Sequence, residues 1–293
     1  MTVHLRLGLV GHPVDHSLSP DLHQAAMTAS GLQGTYELID AEAGELGGIV
    51  DALRAGEWTG LNVTVPYKES VAPLCDTLGE AAQNLGAVNT LTRSQDGSIV
   101  GHNTDLMGLT DALQCWAETA PWAGQPVCVL GAGGAARAAA LAVSELGASS
   151  VRLWNRTEAR AHALVEQLGV QAQVVSSIVE ATDGAALVLQ ATSMGMGLSP
   201  ADIQWTRCRD QAREALEGVA HRAVLMDLVY GHDATPWVAA AEERGLQARD
   251  GLGMLLGQGA RAFQLWTGVT VSAAVIRAGL GPAWVDLERP NQG

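Results

Sequence analysis

The residue with the clearest chemical potential is Lys68, the single lysine of a chain whose 17 Lys and Arg residues are otherwise arginines. It follows the apolar run Gly60–Val65 and Pro66, a pattern that predicts a strand ending in a turn. A lysine ammonium can release a proton in a suitable environment, whereas a guanidinium keeps its proton. The sequence therefore predicts that Lys68 is a proton donor at a strand end.

Further polar side chains stand at predicted turns beside strands, where α/β proteins place their ligands. The segments concerned are Asn62–Lys68 (NVTVPYK), Gly86–Thr90 (GAVNT) and Gly101–Asp105 (GHNTD). They add Thr64, Asn89 and Asp105 to the lysine, a set that suits a substrate with several hydroxyl groups. Each segment taken alone is equally typical of a turn or a helix cap.

The loop after the first predicted strand, residues 11–20 (GHPVDHSLSP), contains Ser17 and Ser19. Residues i and i+2 of extended backbone face the same side, so both hydroxyls can donate to one carboxylate. A serine before a helix is also a common cap. The histidines of this region have no acidic or thiol partner at a metal-ligand spacing, so no metal site is expected.

A glycine-rich turn lies inside a predicted strand–helix–strand unit, formed by Val127–Leu130, Ala135–Leu146 and Val151–Trp154. The turn consists of Gly131, Ala132, Gly133, Gly134 and Ala135. Glycines at these positions permit a tight turn and let backbone N–H groups approach a pyrophosphate at the helix N-terminus. The pattern predicts a dinucleotide site, although a turn that merely packs a helix onto a sheet has similar glycines.

The end of the second strand in this unit indicates which dinucleotide binds. It carries Asn155, Arg156 and Thr157, with Arg160 one helical turn further on. An Asp or Glu, which would accept from the ribose 2′-hydroxyl of NAD, is absent from the strand end. Two guanidiniums can instead bind a 2′-phosphate. The sequence predicts NADP; the alternative is two solvated arginines.

Composition limits the class of protein. The net charge is −14 and the pI near 4.9, which argues against nucleic acid as a partner. The four cysteines have no C-x-x-C spacing and do not predict a disulfide framework. We see neither a signal peptide at the N-terminus nor an apolar run that could span a membrane, and we expect a cytoplasmic protein.

The order of predicted elements indicates an α/β protein of two domains. We expect an α/β domain over residues 1–104 and a Rossmann domain over 105–250. Residues 251–293 are predicted to form helices that return to the first domain. Two short helices are predicted at 69–75 and 77–84.

The chain resembles the shikimate dehydrogenase family over residues 7–268, on seven segments in the family's order and approximate spacing. These are GHPVDHSLSP, NVTVPYK, GAVNT, GHNTD, GAGGAARA, NRT and DGLGMLLGQ. The resemblance implies an N-terminal α/β substrate domain and a C-terminal Rossmann NADP-binding domain, with the active site in the cleft between them. It also implies reversible NADPH-dependent reduction of 3-dehydroshikimate to shikimate, in aromatic amino acid and chorismate biosynthesis, by a monomer or homodimer.

The resemblance assigns roles to individual residues. Lys68 and Asp105 would be the catalytic pair. Substrate would be bound by Ser17, Ser19 and Tyr230 at its carboxylate and by Thr64, Asn89 and Gln258 at its ring hydroxyls. The cofactor would contact Gly131, Ala132, Gly133, Gly134, Ala135, Asn155, Arg156, Thr157, Arg160, Thr192, Gly251 and Met254, the last beside the nicotinamide.

The chain departs from the family pattern at three places. Gln190 stands where the family usually has Asn, and Gly259 stands where Ala is common. The family usually has Pro two residues after the Tyr, whereas Tyr230 is followed here by Gly231 and His232. Alternatives on the same fold are a quinate/shikimate or an aminoshikimate dehydrogenase, although Ser19 favours shikimate since Thr there would suit quinate. An alternative of another class is a non-catalytic NADP-binding sensor, against which the intact Lys68 and Asp105 argue.

Overall fold

The computed structural model describes residues 4–117 and 122–281 of the chain. They divide into two compact units. The described residues of unit 1 are those of Met1–Gly108 and Leu255–Asp286, and the described residues of unit 2 are those of Leu109–Met254. Helices α4 (Asp105–Ala117) and α10 (Leu252–Thr267) run through the two points of division.

Unit 1 contains a mixed six-stranded sheet in the order β2-β1-β3-β5-β6-β4. Its strands are β1 (His4–Gly11), β2 (Gln33–Asp40), β3 (Gly60–Val63), β4 (Thr77–Leu78), β5 (Thr90–Arg93) and β6 (Ile99–His102). Strand β1 is parallel to β2 and β3, whereas β5 is antiparallel to both β3 and β6. Residues 94–98 connect β5 and β6 as a hairpin, with Gly97 at φ 89°.

The helices wholly within unit 1 are α1 (Ser19–Ser30), α2 (Leu46–Ala55), α3 (Glu80–Leu85) and α11 (Ala273–Gly279). The helix predicted at 69–75 is wrong: only a 3-10 turn, Ala72–Leu74, forms there. Pro73 lacks an N–H and its ring would clash with the carbonyl four residues earlier, so a helix cannot run through it. The helix predicted at 77–84 begins later because Thr77 and Leu78 pair with β6.

The core of unit 1 joins the sheet to helices from both ends of the chain. Leu61, Leu91 and Ile99 are at most 1% exposed in the sheet. Phe263 of α10 is fully buried, and Trp266 of the same helix donates from Nε1 to the carbonyl of Leu91 at 3.0 Å. The final helices are therefore part of the packing of unit 1.

Unit 2 contains a six-stranded sheet, wholly parallel, in the order β12-β11-β10-β7-β8-β9. Its strands are β7 (Pro126–Leu130), β8 (Ser150–Trp154), β9 (Ala172–Val174), β10 (Leu187–Gln190), β11 (Val224–Asp227) and β12 (Gln247–Arg249). Its helices are α5 (Gly134–Glu145), α6 (Glu158–Leu168), α7 (Ile178–Thr182), α8 (Ile203–Ala215) and α9 (Pro236–Glu243). The predicted strand–helix–strand unit is confirmed as β7–α5–β8.

Strand order in unit 2 reverses beside β7. The chain runs outward through β8 and β9, then returns to place β10, β11 and β12 on the other side. Ligands of open parallel sheets bind outside the carboxyl ends of the strands at such a reversal. All residues of β10 and β11 are buried, as in a parallel sheet covered on both faces.

Candidate active site

The predicted site residues of unit 1 gather at one edge of its sheet. Ser17 and Thr64 follow β1 and β3, which are parallel neighbours. Asp105 follows β6, which runs in the direction of β3, and Asn89 directly precedes the antiparallel β5. Segments far apart in sequence therefore bring their polar groups to a common edge.

Lys68 and Asp105 form a largely buried ion pair. The ammonium Nζ donates to Asp105 Oδ2 at 2.6 Å, and the two side chains are 17% and 6% exposed. The turn that carries the lysine is anchored on both sides. Val88 donates its backbone N–H to the carbonyl of Lys68 at 2.7 Å, and the Tyr67 hydroxyl donates to the carbonyl of Ala41 at 2.6 Å. The ammonium therefore has a defined position and a carboxylate partner that balances its charge.

Asn89 holds the second oxygen of the carboxylate. Its Nδ2 donates to Asp105 Oδ1 at 2.8 Å, while its Oδ1 accepts from the backbone N–H of Thr104 at 2.8 Å. Gln258 of α10 approaches the same group, with Oε1 3.4 Å from both Asn89 Nδ2 and Thr104 Oγ1. Both oxygens of Asp105 are thus engaged, one by Lys68 and one by Asn89.

A buried polar chain supports Asn89 from within the sheet. The Thr90 hydroxyl donates to Asn89 Oδ1 at 3.0 Å, and Asn62 Nδ2 donates to that hydroxyl at 3.0 Å. The Tyr36 hydroxyl in turn donates to Asn62 Oδ1 at 2.8 Å. No role was predicted for Asn62 or Thr90. The available signal was a polar side chain within a predicted strand of apolar residues.

Ser17 and Ser19 lie together in the loop after β1. Their hydroxyl oxygens are 3.1 Å apart, and the backbone N–H of Ser19 donates to Ser17 Oγ at 3.2 Å. Thr64, after the neighbouring strand, packs over Gly11, where an added Cβ would lie 2.4 Å from Thr64 Cγ2. The backbone at Leu18, between the two serines, is helical (φ −78°, ψ −4°) and not extended as the i and i+2 argument assumed, yet the two hydroxyls lie close enough together to bind one anionic group.

Two histidines near this edge differ in environment, since His23 is buried and His12 is exposed and paired with Asp40. Burial lowers the pKa of His23, which stacks on Tyr36 with ring centroids 4.5 Å apart, to about 3, so this imidazole is uncharged near neutral pH. The carboxylate of Asp40 accepts from His12 and raises the pKa of that imidazole. Within residues 4–117 and 122–281, no group of three or more His, Cys, Asp or Glu is arranged to hold a metal ion.

The glycine turn of unit 2 connects β7 to α5 at the point of reversal. Gly131 has φ 124°, and a Cβ there would lie 2.8 Å from the carbonyl oxygen of Ala191. Gly133 is the N-cap residue of α5, and because it has no side chain it leaves the first N–H groups of the helix without a side-chain acceptor. A Cβ at Gly133 would meet no described atom within 4 Å. The turn therefore has an open helix N-terminus with room for a ligand, which fits a pyrophosphate.

The end of β8 carries no carboxylate. Asn155 donates from Nδ2 to the carbonyl of Thr157 at 2.8 Å, which shapes the turn into α6. Arg156 and Arg160 are exposed, and the N–H of Arg160 bonds the carbonyl of Thr157 at 3.0 Å. Two accessible guanidiniums at one turn suit a phosphate on the adenosine ribose.

The residue expected beside the cofactor after β10, Thr192, is held by Gln190. Both the N–H and the hydroxyl of Thr192 donate to Gln190 Oε1, at 2.6 and 2.5 Å. Gln190 is fully buried at the end of β10. The departure from the family's Asn thus falls on a residue that shapes this turn.

Tyr230, Gly251 and Met254 belong to the segments that follow β11 and β12. Tyr230 is half-buried three residues beyond β11. Gly251 packs on the segment that leads to Tyr230, because a Cβ added to Gly251 would lie 2.3 Å from the carbonyl oxygen of Leu228. Met254 on α10 is 8% exposed. These residues follow carboxyl ends of the same parallel sheet as the glycine turn.

The fold and these groups define a class: a dinucleotide-linked α/β enzyme with a Lys–Asp pair in a separate unit. Comparison with known protein families shows which family within this class the chain matches. Residues 9–91 match the shikimate dehydrogenase substrate binding domain, 116–207 match shikimate / quinate 5-dehydrogenase, and 251–278 match the shikimate 5′-dehydrogenase C-terminal domain.

Relatives of known name match along most of their length. A shikimate dehydrogenase (NADP(+)) of an Exiguobacterium species is 40% identical, over 90% of this chain and 94% of the relative. The Thermus thermophilus relative of the same name is 39% identical, over 90% of this chain and 93% of the relative. The chain belongs to the shikimate dehydrogenase family.

Solved structures agree with this membership. A shikimate 5-dehydrogenase of Thermus thermophilus, in complex with NADP(H) and shikimate, has a TM-score of 0.80 and 36% identity, covering 95% of this chain and 99% of that one. A 5-ketofructose reductase of a Gluconobacter species has a TM-score of 0.76 and 27% identity, covering 96% and 99%. The fold therefore also occurs in a reductase that is named for another substrate. Within the part of the chain that the structure describes, no helix is long and apolar enough to cross a membrane.

Proposed function

We propose that this protein is an NADP-dependent shikimate dehydrogenase, which reduces 3-dehydroshikimate reversibly to shikimate. The observation that carries the proposal is the buried Lys68–Asp105 pair, with Nζ and Oδ2 2.6 Å apart. It lies in the unit that matches the family's substrate binding domain. The substrate and the cofactor in this proposal are those named for the relatives described above.

Lys68 is the proposed proton donor. Bound NADPH would supply the hydride that adds to the ring carbonyl carbon. As negative charge grows on the carbonyl oxygen, the Lys68 ammonium stabilises it and then donates a proton to it. Asp105 keeps the ammonium oriented through its bond to Nζ, and Asn89 keeps Asp105 in place. In the reverse direction, neutral Lys68 accepts the proton of the ring hydroxyl.

The other proposed contacts divide between a carboxylate and ring hydroxyls. The Ser17 and Ser19 hydroxyls, 3.1 Å apart, would donate to the substrate carboxylate together with Tyr230. Thr64, Asn89 and Gln258 would bind the ring hydroxyls as neutral donors and acceptors. Neutral groups suit hydroxyls because each can both donate and accept.

The proposed NADP site is formed by unit 2. The turn of Gly131, Ala132, Gly133, Gly134 and Ala135 would hold the pyrophosphate at the α5 N-terminus. The adenosine ribose and its phosphate would contact Asn155, Arg156, Thr157 and Arg160. Thr192, Gly251 and Met254 would lie nearer the nicotinamide. In this proposal residues 1–104 form the substrate-binding domain, residues 105–250 form the NADP-binding domain, and residues 251–293 return to the first domain. The cytoplasmic location and the oligomeric state stay predictions.

The test is the rate of NADP reduction by purified protein with shikimate as substrate. Parallel assays replace shikimate by quinate, and NADP by NAD. We expect the highest kcat/KM with shikimate and NADP, because Arg156 and Arg160 match a 2′-phosphate that NAD lacks. Higher kcat/KM with quinate would assign the second activity named by the matching family. NADP binding without turnover of either acid would favour the sensor.

A further inference from the structure

Two buried polar side chains end adjacent strands of unit 2. Gln190 ends β10 and Asp227 ends β11, opposite each other in the parallel register, and both are fully buried. Gln190 Nε2 donates to Asp227 Oδ1 at 2.9 Å. Neither side chain has a role in the proposed chemistry. A polar pair is seldom placed in a sheet core without a structural or functional reason.

The amide of Gln190 fixes the turn after β10. Its Oε1 accepts from both the N–H and the hydroxyl of Thr192, and its Nε2 also donates to the carbonyl of Met194 at 3.2 Å. The backbone N–H at Thr192 requires an acceptor, so the amide oxygen must face this turn and the amide nitrogen must face Asp227. The Gln190 side chain thus stabilises the turn after β10 and also bonds Asp227 on the neighbouring strand β11.

Asp227 fixes the segment after β11 in the same way. Its Oδ1 also accepts from the N–H of Val229 at 3.0 Å. The N–H of Leu228 donates to the Gln190 carbonyl at 2.8 Å, and the N–H of Gly251 donates to the carbonyl of Val229 at 3.0 Å. The backbone that leads into Tyr230 is therefore held on both sides.

We propose that Gln190 is a positioning residue which, through Asp227, sets the turn of Thr192 and the segment of Tyr230 relative to each other. This inference rests on the proposed function, in which Thr192 serves the cofactor and Tyr230 the substrate. Affinity for both ligands then depends on one amide. A loss of the amide should raise both Michaelis constants together, which a residue of one binding site alone would not do.

The charge state of Asp227 gives the pair a pH signature. Burial raises the pKa of Asp227 to about 7, and the carboxylate of Asp250, after β12, adds repulsion. The groups that face Asp227 from β10 and from the start of α9, Gln190 and Thr235, are neutral. An amide donor bonds Oδ1 whether or not Oδ2 is protonated. A glutamate carboxyl in place of the Gln190 amide can bond Asp227 only while one of the two carboxyl groups keeps its proton.

The experiment compares Gln190→Glu, Gln190→Leu and the matched control Gln173→Glu, which makes the same change at an exposed position of β9. We would measure kcat, KM for shikimate and KM for NADP from about pH 6 to about pH 9, beside the melting temperature. We expect Gln190→Leu to raise both KM values by about tenfold to 100-fold at every pH. We expect Gln190→Glu to approach wild type at the acid end and to worsen as pH rises, with the control unchanged.

Several outcomes would overturn the inference. One is a lower melting temperature with both KM values within about twofold of wild type, which means a structural role only. Another is a rise in one KM alone. If Gln190→Leu does not fold, Gln190→Met decides, because it keeps the length of the side chain and removes the amide; unchanged KM values there would contradict the proposal. Wild type without shikimate turnover would refute the proposed function instead, and calorimetric NADP affinity of the Gln190 variants would still test the Thr192 half.

Discussion

The Lys68 ammonium and the Asp105 carboxylate are enclosed far more than an ordinary surface pair. With side chains 17% and 6% exposed, they are little screened by water, and removing either partner would leave the other charge poorly solvated. Asn89 bonds the second oxygen of Asp105. This arrangement holds the ammonium at one point with little freedom to move, as general acid catalysis by the proposed donor would require.

Lys68→Ala is expected to lower kcat by about 100- to 10,000-fold, because the donor to the ring oxygen is lost. NADP affinity should barely change, since the residues proposed to bind the cofactor lie in unit 2. Steady-state kinetics and calorimetric titration with NADP measure the two quantities.

Lys68→Arg is the matched control for charge. It keeps a cation beside Asp105 but holds its proton, so its kcat should also be low. Near-normal turnover in either variant would remove Lys68 from the chemistry.

Asp227 makes unit 2 sensitive to pH. Its pKa in the folded protein, about 7, is raised above the ordinary value of 3.8, so its contribution to stability is complete below about pH 4 and is lost as pH rises through 7. Asp227→Asn removes this loss. The variant should gain free energy of unfolding relative to wild type as pH increases from 4 to 8, by up to about 4 kcal/mol.

Urea unfolding at several pH values measures that difference. The matched control is Asp210→Asn on the surface of α8, where the side chain is 58% exposed. A difference between Asp227→Asn and wild type that stays constant with pH would show that Asp227 is ionised throughout.

At the scale of elements, the turn from β7 to α5 contains two glycines, Gly131 and Gly133, and each position favours glycine for a different physical reason. Gly131, at φ 124°, cannot carry a Cβ without contact to the Ala191 carbonyl. Gly133 has φ −94° and open space where a Cβ would stand. The first glycine is therefore required by the fold, and the second is free to serve a ligand.

Gly131→Ala and Gly133→Ala separate these two reasons. Gly131→Ala should lower the free energy of unfolding by about 2 kcal/mol through backbone strain. Gly133→Ala should leave stability unchanged yet weaken NADP binding by about tenfold, or ~1.4 kcal/mol, since the methyl group occupies space that the pyrophosphate needs. Thermal unfolding and NADP titration give both values. Normal NADP affinity in Gly133→Ala would place the pyrophosphate elsewhere.

Prediction of elements succeeded where the periodicity was strong. The unit β7–α5–β8 has buried strands around a glycine turn, and its expected extent agrees with the structure. Helix α8 was not predicted, because its sequence is mainly charged and polar and buries only Trp205, Ala212 and Ala215. Its position depends on packing against α9 rather than on a continuous apolar face.

For the whole molecule, the main consequence is that unit 1 is built from two distant parts of the chain. Phe263 of α10 is fully buried and lies 6.4 Å from His23 of α1, ring centre to ring centre. Gly60 of β3 leaves space for Trp266, whose indole carbon would be 2.1 Å from an added Cβ. The sheet of unit 1 therefore depends on a helix more than 150 residues further along the chain.

Phe263→Ala should lower the free energy of unfolding of unit 1 by about 3–5 kcal/mol, through the cavity it leaves. Leu265→Ala is the control on the same helix, because Leu265 is 43% exposed and its loss should cost little. Urea unfolding, followed by the fluorescence of the tryptophans, measures both. Equal effects would mean that α10 is not part of the core of unit 1.

Local patterns in the chain were enough to predict the glycine turn, the parallel unit around it, the absence of a carboxylate after β8, and the candidate groups Lys68 and Asp105. These depend on residue type and short spacing, which a linear sequence displays directly. Contacts such as Gln190 with Asp227, 37 residues apart, and Asn62 with Thr90, 28 apart, appeared only once the strands were paired. Strand order and register create such contacts, and these follow from the packing of the whole sheet rather than from any local segment.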